Sequence, residues 1–241
     1  MKHPDAERSV ESYRRLAARY DASCERVMPV REETVALLDL QPGDVAVDVA
    51  SGTGLSFPLL MQGIGPIGHL IAIEHSPEMT ALARKRVEAS GWRNVTLIET
   101  ATEAAEVPVA FDAVLFHFTH DVLQSPAGLA RLFARAKPGA RVAVAGARFA
   151  SWWLTPLNLW VMFRARHYLT TCTGLAQPWR NLLTYVPDLT VRSRLFGTGY
   201  VAHGRFRAAH AAEKADDETG KNEEACWRAH AHLMERFKKA D

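Results

Sequence analysis

Along the middle of the chain, short apolar runs alternate with stretches of helical period. Residues 45–50, 70–74, 95–98, 113–116 and 141–145 are dense in Val, Ile, Leu, Ala and Phe and read as buried strands. Between them, residues 76–90 and 125–136 repeat apolar positions at helical spacing. Each opens with Ser-Pro, an N-cap followed by a first-turn proline. Strands separated by helices of this length predict a parallel sheet with right-handed crossovers. Upstream, Val10, Tyr13, Leu16, Ala17 and Tyr20 mark an amphipathic helix over 5–21, and a second helix near 30–40 should stop at Gln41-Pro42-Gly43-Asp44. Lys137-Pro138-Gly139 predicts the turn into the fifth strand.

Past the fifth strand the texture changes. Residues 189–196 alternate with period two, Gly197-Thr198-Gly199 follows, and Tyr200-Val201-Ala202 resumes an apolar run, which together predict an antiparallel hairpin. The expected fold is α/β: a doubly wound, mostly parallel seven-stranded sheet with helices on both faces, ending in that hairpin. Residues 1–207 make one domain on this reading, with a cap helix over 5–21 and an inserted helical element over 151–185. Residues 208–241 form a polar tail, mobile or separately helical.

Composition narrows the function classes. A chain of 241 residues, 48% hydrophobic and 23% charged, can bury one substantial core. The net charge of +2 is spread among interspersed acids and bases, so no nucleic-acid face is expected. Cys24, Cys172 and Cys226 form no CxxC pair, which encodes neither a disulfide framework nor a metal site and suits a reducing compartment. The polar start Met1-Lys2-His3-Pro4-Asp5 lacks the apolar segment of a signal peptide. The longest apolar stretch, residues 149–163, is broken by Pro156 and Asn158. It falls short of the roughly 18–20 residues a bilayer span requires. A cytoplasmic protein with no stable membrane insertion is expected, its oligomeric state left open.

The first strand runs into Asp48-Val49-Ala50-Ser51-Gly52-Thr53-Gly54-Leu55 and then into a helical pattern. A glycine-rich turn from strand to helix lets a ligand approach the backbone and points amides at it. Glu74 closes the second strand, and a carboxylate about 20 residues past such a loop commonly holds ribose hydroxyls. Loop and acid together define a nucleoside site. Three details argue against a dinucleotide. Phe57 occupies the place of the third fingerprint glycine, Asp48 would repel a pyrophosphate, and the sheet ends in a hairpin instead of a sixth parallel strand. Gly63-Ile64-Gly65-Pro66-Ile67-Gly68 also spells GxGxxG, but it precedes a strand and reads as a turn.

In order and spacing, Val47-Asp48-Val49-Ala50-Ser51-Gly52-Thr53-Gly54 and Ile73-Glu74-His75-Ser76-Pro77-Glu78-Met79 resemble the first two motifs of class I S-adenosylmethionine-dependent methyltransferases of the small-molecule type. Residues 111–116 resemble their fourth strand, residues 137–141 the turn before the fifth, and Tyr13 with residues 17–21 the N-terminal cap helix. The resemblance runs over about two-thirds of the chain. It implies S-adenosyl-L-methionine as cofactor, with Asp48, Ala50, Ser51, Gly52 and Gly54 on its methionine and ribose side, Glu74 on the ribose hydroxyls, His75 and Met79 beside adenine, and Tyr20, Thr102 and His117 as further contacts. Where the family often has Gly-Asp-Ala after the third strand, this chain has Thr100-Ala101-Thr102. The acid is missing there, and whether Glu103 replaces it stays open. Ala50, in a glycine position, is expected to take an ordinary backbone conformation.

His120 with Asp121, just past the fourth strand, is the candidate general base and its orienter. Trp152, Trp153, Trp179 and Tyr185, with Trp160 nearby, are candidates for an apolar acceptor pocket, to which His167, Tyr168 and Arg180 would add polar contacts. The expected activity is transfer of a methyl group to a small organic acceptor by direct displacement. The alternatives are another transferase or redox enzyme built on the same nucleoside site, or a partner-binding module recruiting through its tail or aromatic insert.

Overall fold

The computed structural model describes residues 20–150, 158–159 and 172–207. Most of the expected cap helix, much of the 151–185 element (Trp152, Trp153, Trp160, His167 and Tyr168 included) and the tail lie outside these residues.

The described chain opens with the short helix α1 (Tyr20–Cys24), a single 3-10 turn, and α2 (Met28–Ala36). Strand β1 (Val45–Val49) leads through the glycine loop into α3 (Phe57–Ile64). Next come β2 (His69–Glu74), α4 (Pro77–Ser90), β3 (Val95–Glu99) and β4 (Phe111–His117). The one-turn helix α5 (His120–Leu123) and α6 (Pro126–Phe133) precede β5 (Ala136–Ala147). The hairpin strands are β6 (Thr190–Arg194) and β7 (Gly199–Arg205). Both Ser-Pro starts behave as read: Ser76 Oγ accepts from the Met79 amide and Ser125 Oγ from the Gly128 amide.

One seven-stranded sheet results, in the order β3-β2-β1-β4-β5-β7-β6. The first five of these strands are parallel, β7 runs antiparallel to β5, and β6 antiparallel to β7. Both faces are covered, which is why the central strands read as unbroken apolar runs. Val47, Val49, Ile71, Val114, Phe116 and Val144 face the core shared with α6 and residues 179–186. The alternate residues Ala46, Leu70, Ala72, Ala113, Leu115 and Ala143 face the core under α2, α3 and α4.

Three local expectations change. Lys137-Pro138-Gly139 is not a free turn but part of β5: Ala136 pairs with Phe111 and Arg141 with Ala113, so an irregularity absorbs the extra residues, with Gly139 at φ +79°. The first hairpin strand stops at Arg194, because Leu195 and Phe196 turn to φ +51° and +54°. The second helix ends at Ala36, short of the expected 40. The second GxGxxG is a turn: Gly65, at φ +65°, caps α3, and β2 begins at His69. Among the described residues, no helix is long and apolar enough to cross a membrane.

Candidate active site

Strand β1 lies between β2 and β4 and the chain departs to opposite sides of it, so the crevice beyond the carboxyl ends of β1 and β4 is the ligand position of an open α/β sheet. Backbone bonds hold the rim together: Ser51 N to Ile73 O at 3.0 Å, Thr100 N to Glu74 O at 2.9 Å, and Phe118 N to Ala145 O at 2.7 Å.

The loop between β1 and α3 makes a left-handed excursion. Gly52 and Gly54 have φ of +59° and +78°, and Ala50 has φ +51°. The ordinary conformation expected for Ala50 is therefore incorrect. A left-handed alanine carries a steric cost of roughly 1–2 kcal/mol, and non-glycine strain of this kind collects at functional bends. Across the switch point, Phe118 is bent the same way, at φ +60°. A Cβ on Gly54 would stand 2.6 Å from the Phe57 ring, so the close approach at this glycine is made by the protein's own side chain. A Cβ on Gly52 would lie 3.7 Å from the Tyr20 ring, which places Tyr20 over the loop.

Glu74 ties the loop to the second strand. Its Oε2 accepts from the Gly52 amide and its Oε1 from the Ser76 amide, both at 2.8 Å. His75 Nδ1 lies 3.3 Å from Oε1. A carboxylate offers about four acceptor positions, so lone pairs remain for vicinal hydroxyls. Asp48 is buried, and its Oδ2 has no hydrogen-bond partner. Burial pushes its carboxyl up to about 7, against the pull of the Arg31 guanidinium and with a further push from Glu74; a bond from the Ser56 hydroxyl lowers it. Ser51 Oγ, His75 Nε2 and both ring nitrogens of His117 are likewise buried without partners. Burial and then the Arg31 charge hold His117 well below its usual range, as a neutral imidazole.

Arg31 is a site residue that sequence reasoning missed. It is buried in α2, donates from Nη1 to Ser56 Oγ at 2.5 Å, and leaves Nε without a partner. Its stripe of Arg31, Thr34 and Val35, with Leu38 beyond the helix, is the buried face, so a charge at a core position was the available signal. Asp21, placed by the resemblance in the cap helix, was given no site role. It accepts from Thr53 Oγ1 at 2.5 Å and from Arg86 Nη2 at 2.6 Å, while Arg86 Nε holds Thr53 O at 3.0 Å. This clasp fixes α1 against the glycine loop.

Beyond the carboxyl ends of β2 and β3, Met79 and Thr102 are buried. The Glu103 carboxylate turns to the start of α6, where its Oε1 lies 3.5 Å from the Cβ position of Gly128. On the other side of the crevice, His120 Nε2 is 2.9 Å from Thr173 O. A carbonyl only accepts, so Nε2 carries the proton and the partnerless Nδ1 presents a bare lone pair. Burial lowers the His120 pKa, opposed by Asp121 and the Thr173 carbonyl.

Of the expected aromatic pocket, the two described members, Trp179 and Tyr185, do not sit together. Trp179 packs on Tyr200, ring centroids 4.6 Å apart, at the rim end of β7. Tyr185 stacks on Phe133 at 4.5 Å, and its backbone carbonyl accepts from the Arg207 N–H beside Phe206, toward the opposite end of β5. Six residues of separation conceal that distance. Arg180 begins the 3-10 turn Arg180–Thr184 and is exposed. A separate groove of about 770 Å³, lined by Pro58, Met61, Trp92 and Asn94, opens at the amino ends of β2 and β3, away from Asp48 and Glu74.

Comparison with known proteins agrees with this geometry. Residues 46–139 match the family model described as "Methyltransferase domain". The demethylmenaquinone methyltransferase of Bacillus cytotoxicus is 29% identical over 126 residues, 49% of this chain and 52% of that protein. The arsenite methyltransferase of Halobacterium salinarum is 31% identical over 113 residues, 45% of this chain and 28% of that protein. The chain thus spans about half or less of the length of the curated relatives it matches. In structure, the N-methyltransferase NodS of Bradyrhizobium japonicum in complex with S-adenosyl-L-homocysteine shares the fold at a TM-score of 0.60 and 15% identity, covering 83% of this chain and 100% of that one. Residues 46–139, from β1 to the start of β5, thus match a methyltransferase domain, and the described chain shares the fold of methyltransferases of known structure.

Proposed function

We propose that the protein methylates a small organic acceptor, binding S-adenosylmethionine across the carboxyl ends of β1 and β2. The observation that carries this reading is the pair of buried acids flanking one bend: Asp48 with a partnerless oxygen, and Glu74 bonded to the Gly52 amide. The residues fit the cofactor. Glu74 keeps lone pairs for the ribose hydroxyls, Asp48 answers a cationic amino acid head, and Arg31 answers its carboxylate. Ser51 and His117 supply further polar atoms, and Tyr20 closes the loop from outside.

When bound, the cofactor supplies an electrophilic methyl carbon on a sulfonium; an acceptor lone pair forms the new bond as the carbon–sulfur bond breaks. The protein contributes placement and dryness, and positioning alone supplies much of such an acceleration. His120 adds a base: its neutral ring, with Nδ1 bare, takes the acceptor's proton. The demethylmenaquinone and arsenite names of the relatives support a small acceptor.

Thermal unfolding with S-adenosylhomocysteine and with NADH tests the cofactor, and labelled methyl transfer into fractionated cell extract tests the acceptor class. Stabilisation by the homocysteine ligand and label in low-molecular-weight material are expected. Protection by NADH alone, or label confined to macromolecules, would overturn the reading.

A further inference from the structure

Arg148 is a half-buried cation outside the proposed cofactor site. It follows the last residue of β5, its backbone N–H donates to Thr198 O at 2.8 Å, and its Nε donates to Phe149 O at 3.2 Å. The guanidinium carbon stands 5.3 Å above the centre of the Trp179 ring, and Trp179 rests on Tyr200. The side chain is half-buried, and no Asp or Glu among the described residues pairs with it. Arginine has five N–H donors in a planar fork matched to carboxylate and phosphate. Among the described residues the two terminal nitrogens carry donors with no acceptor. A guanidinium stripped of part of its water with no opposite charge is costly unless an anion completes it.

The same wall holds the candidate base. Phe149 N donates to Leu175 O at 2.8 Å, His120 Nε2 meets Thr173 O, Gln124 Nε2 reaches Pro178 O at 3.0 Å, and Asn181 Nδ2 reaches Leu123 O at 2.9 Å. The chain from 172 to 182 is thereby strapped both to α5 and to the end of β5, joining His120, Trp179 and Arg148. Arg148 lies off β5, two strands from Asp48, a lateral separation of roughly 10 Å at the usual strand spacing. Arg31, next to Asp48, is the cation placed for the cofactor's own carboxylate.

We propose that the methyl acceptor carries a carboxylate or phosphate group and that Arg148 binds it. This rests on the methyltransferase reading above, and it specifies the acceptor's charge. Trp179 beneath the guanidinium holds its plane, and a flat anionic molecule would seat its charge on Arg148 with its reacting atom toward His120.

The test is calorimetric titration of the full chain, saturated with S-adenosylhomocysteine, with benzoate, phenyl phosphate and neutral benzamide. One of the two anions should bind at least about tenfold more tightly than benzamide, as a charge-assisted pair predicts. Preference for benzoate identifies a carboxylate and preference for phenyl phosphate a phosphate. Arg148→Gln should remove that advantage, with affinity for S-adenosylhomocysteine kept within about twofold because the cofactor is held elsewhere. Should the glutamine variant not fold by circular dichroism, Arg148→Lys serves instead. It keeps the charge but loses the fork, so anion affinity should still drop several-fold. Benzamide binding as well as the anions, no anion binding, anion binding indifferent to Arg148, or S-adenosylhomocysteine weakened about tenfold by Arg148→Gln would each overturn the proposal. Loss of S-adenosylhomocysteine binding in the unaltered protein would sink the cofactor reading instead; the same anion titrations without it then decide Arg148 separately.

Discussion

Asp48→Asn isolates the electrostatics of the site. In the free protein burial raises the Asp48 carboxyl from 3.8 to about 7. Each pKa unit is worth about 1.4 kcal/mol, so ionising this group without a ligand costs up to about 4 kcal/mol. The folded state thus binds a proton that the unfolded chain has released between pH 4 and 7. Stability present at the acidic end is lost as pH rises through that window. His117 works the other way: its folded pKa is depressed, so its contribution is present above the unfolded value and lost as pH falls. Comparing urea unfolding of the two proteins at pH 5 and pH 8 cancels the histidine and leaves the carboxylate. The wild type should lose about 1–4 kcal/mol more than Asp48→Asn over that interval. The ligand's ammonium group needs the ionised form. Affinity for S-adenosylhomocysteine should therefore tighten up to about tenfold per pH unit toward neutrality in the wild type, and stay flat in the variant. Calorimetry near pH 6 in two buffers of different ionisation enthalpy should register close to one proton released. Equal pH slopes in the two proteins, or undiminished affinity in Asp48→Asn at pH 8, would refute the assignment.

Ala50→Gly should stabilise the protein by up to about 1 kcal/mol, because relief of left-handed strain is only partly offset by the entropy of the unfolded chain; chemical unfolding midpoints check it. Gly54→Ala should cost about 1–3 kcal/mol, since the new methyl meets the Phe57 ring at 2.6 Å, and a scan showing no loss would remove the packing argument. Asp21→Asn should change global stability by less than about 1 kcal/mol, its bonds being near the surface, yet weaken S-adenosylhomocysteine binding several-fold by releasing α1 from Thr53 and Arg86. His120→Asn should lower kcat/KM by about 10²–10⁴ on a hydroxyl acceptor. It should also abolish the rise of rate with pH through a value below 6.5, where the wild-type imidazole loses its proton.

Which parts of this molecule could be read from residues follows from what each signal encodes. Strand and helix order was legible because burial on both faces forces unbroken apolar runs, and Ser76 and Ser125 announce helix starts through a local bond. The loop and Glu74 were legible because glycine spacing and one acid at a fixed distance are local facts. Ala50 was misjudged because its identity says nothing of the sheet geometry that forces φ +51°. Arg31 escaped because a charge on a helix usually faces water; only the tertiary fold shows that its stripe is the inner one. Tyr185 was grouped with Trp179 by closeness in the chain, while the turn at 180–184 carries it to the far end of the sheet. Lys137-Pro138-Gly139 has turn composition, yet pairing with β4 on one side and the Phe206 carbonyl on the other holds it in a strand.

The reversed direction of β7 has a consequence for how acceptor choice can change. Because that strand starts where β5 finishes, Gly199 and Tyr200 reach the same rim as Ala147 and Arg148, although some fifty residues separate them along the chain. On the proposed reading, the wall facing the acceptor is assembled largely from chain beyond residue 139, past the residues that match the methyltransferase domain model. Substitutions there can retune which molecule is modified without touching the nucleoside seat. Grafting residues 172–205 between relatives should move acceptor preference while leaving cofactor recognition with the recipient.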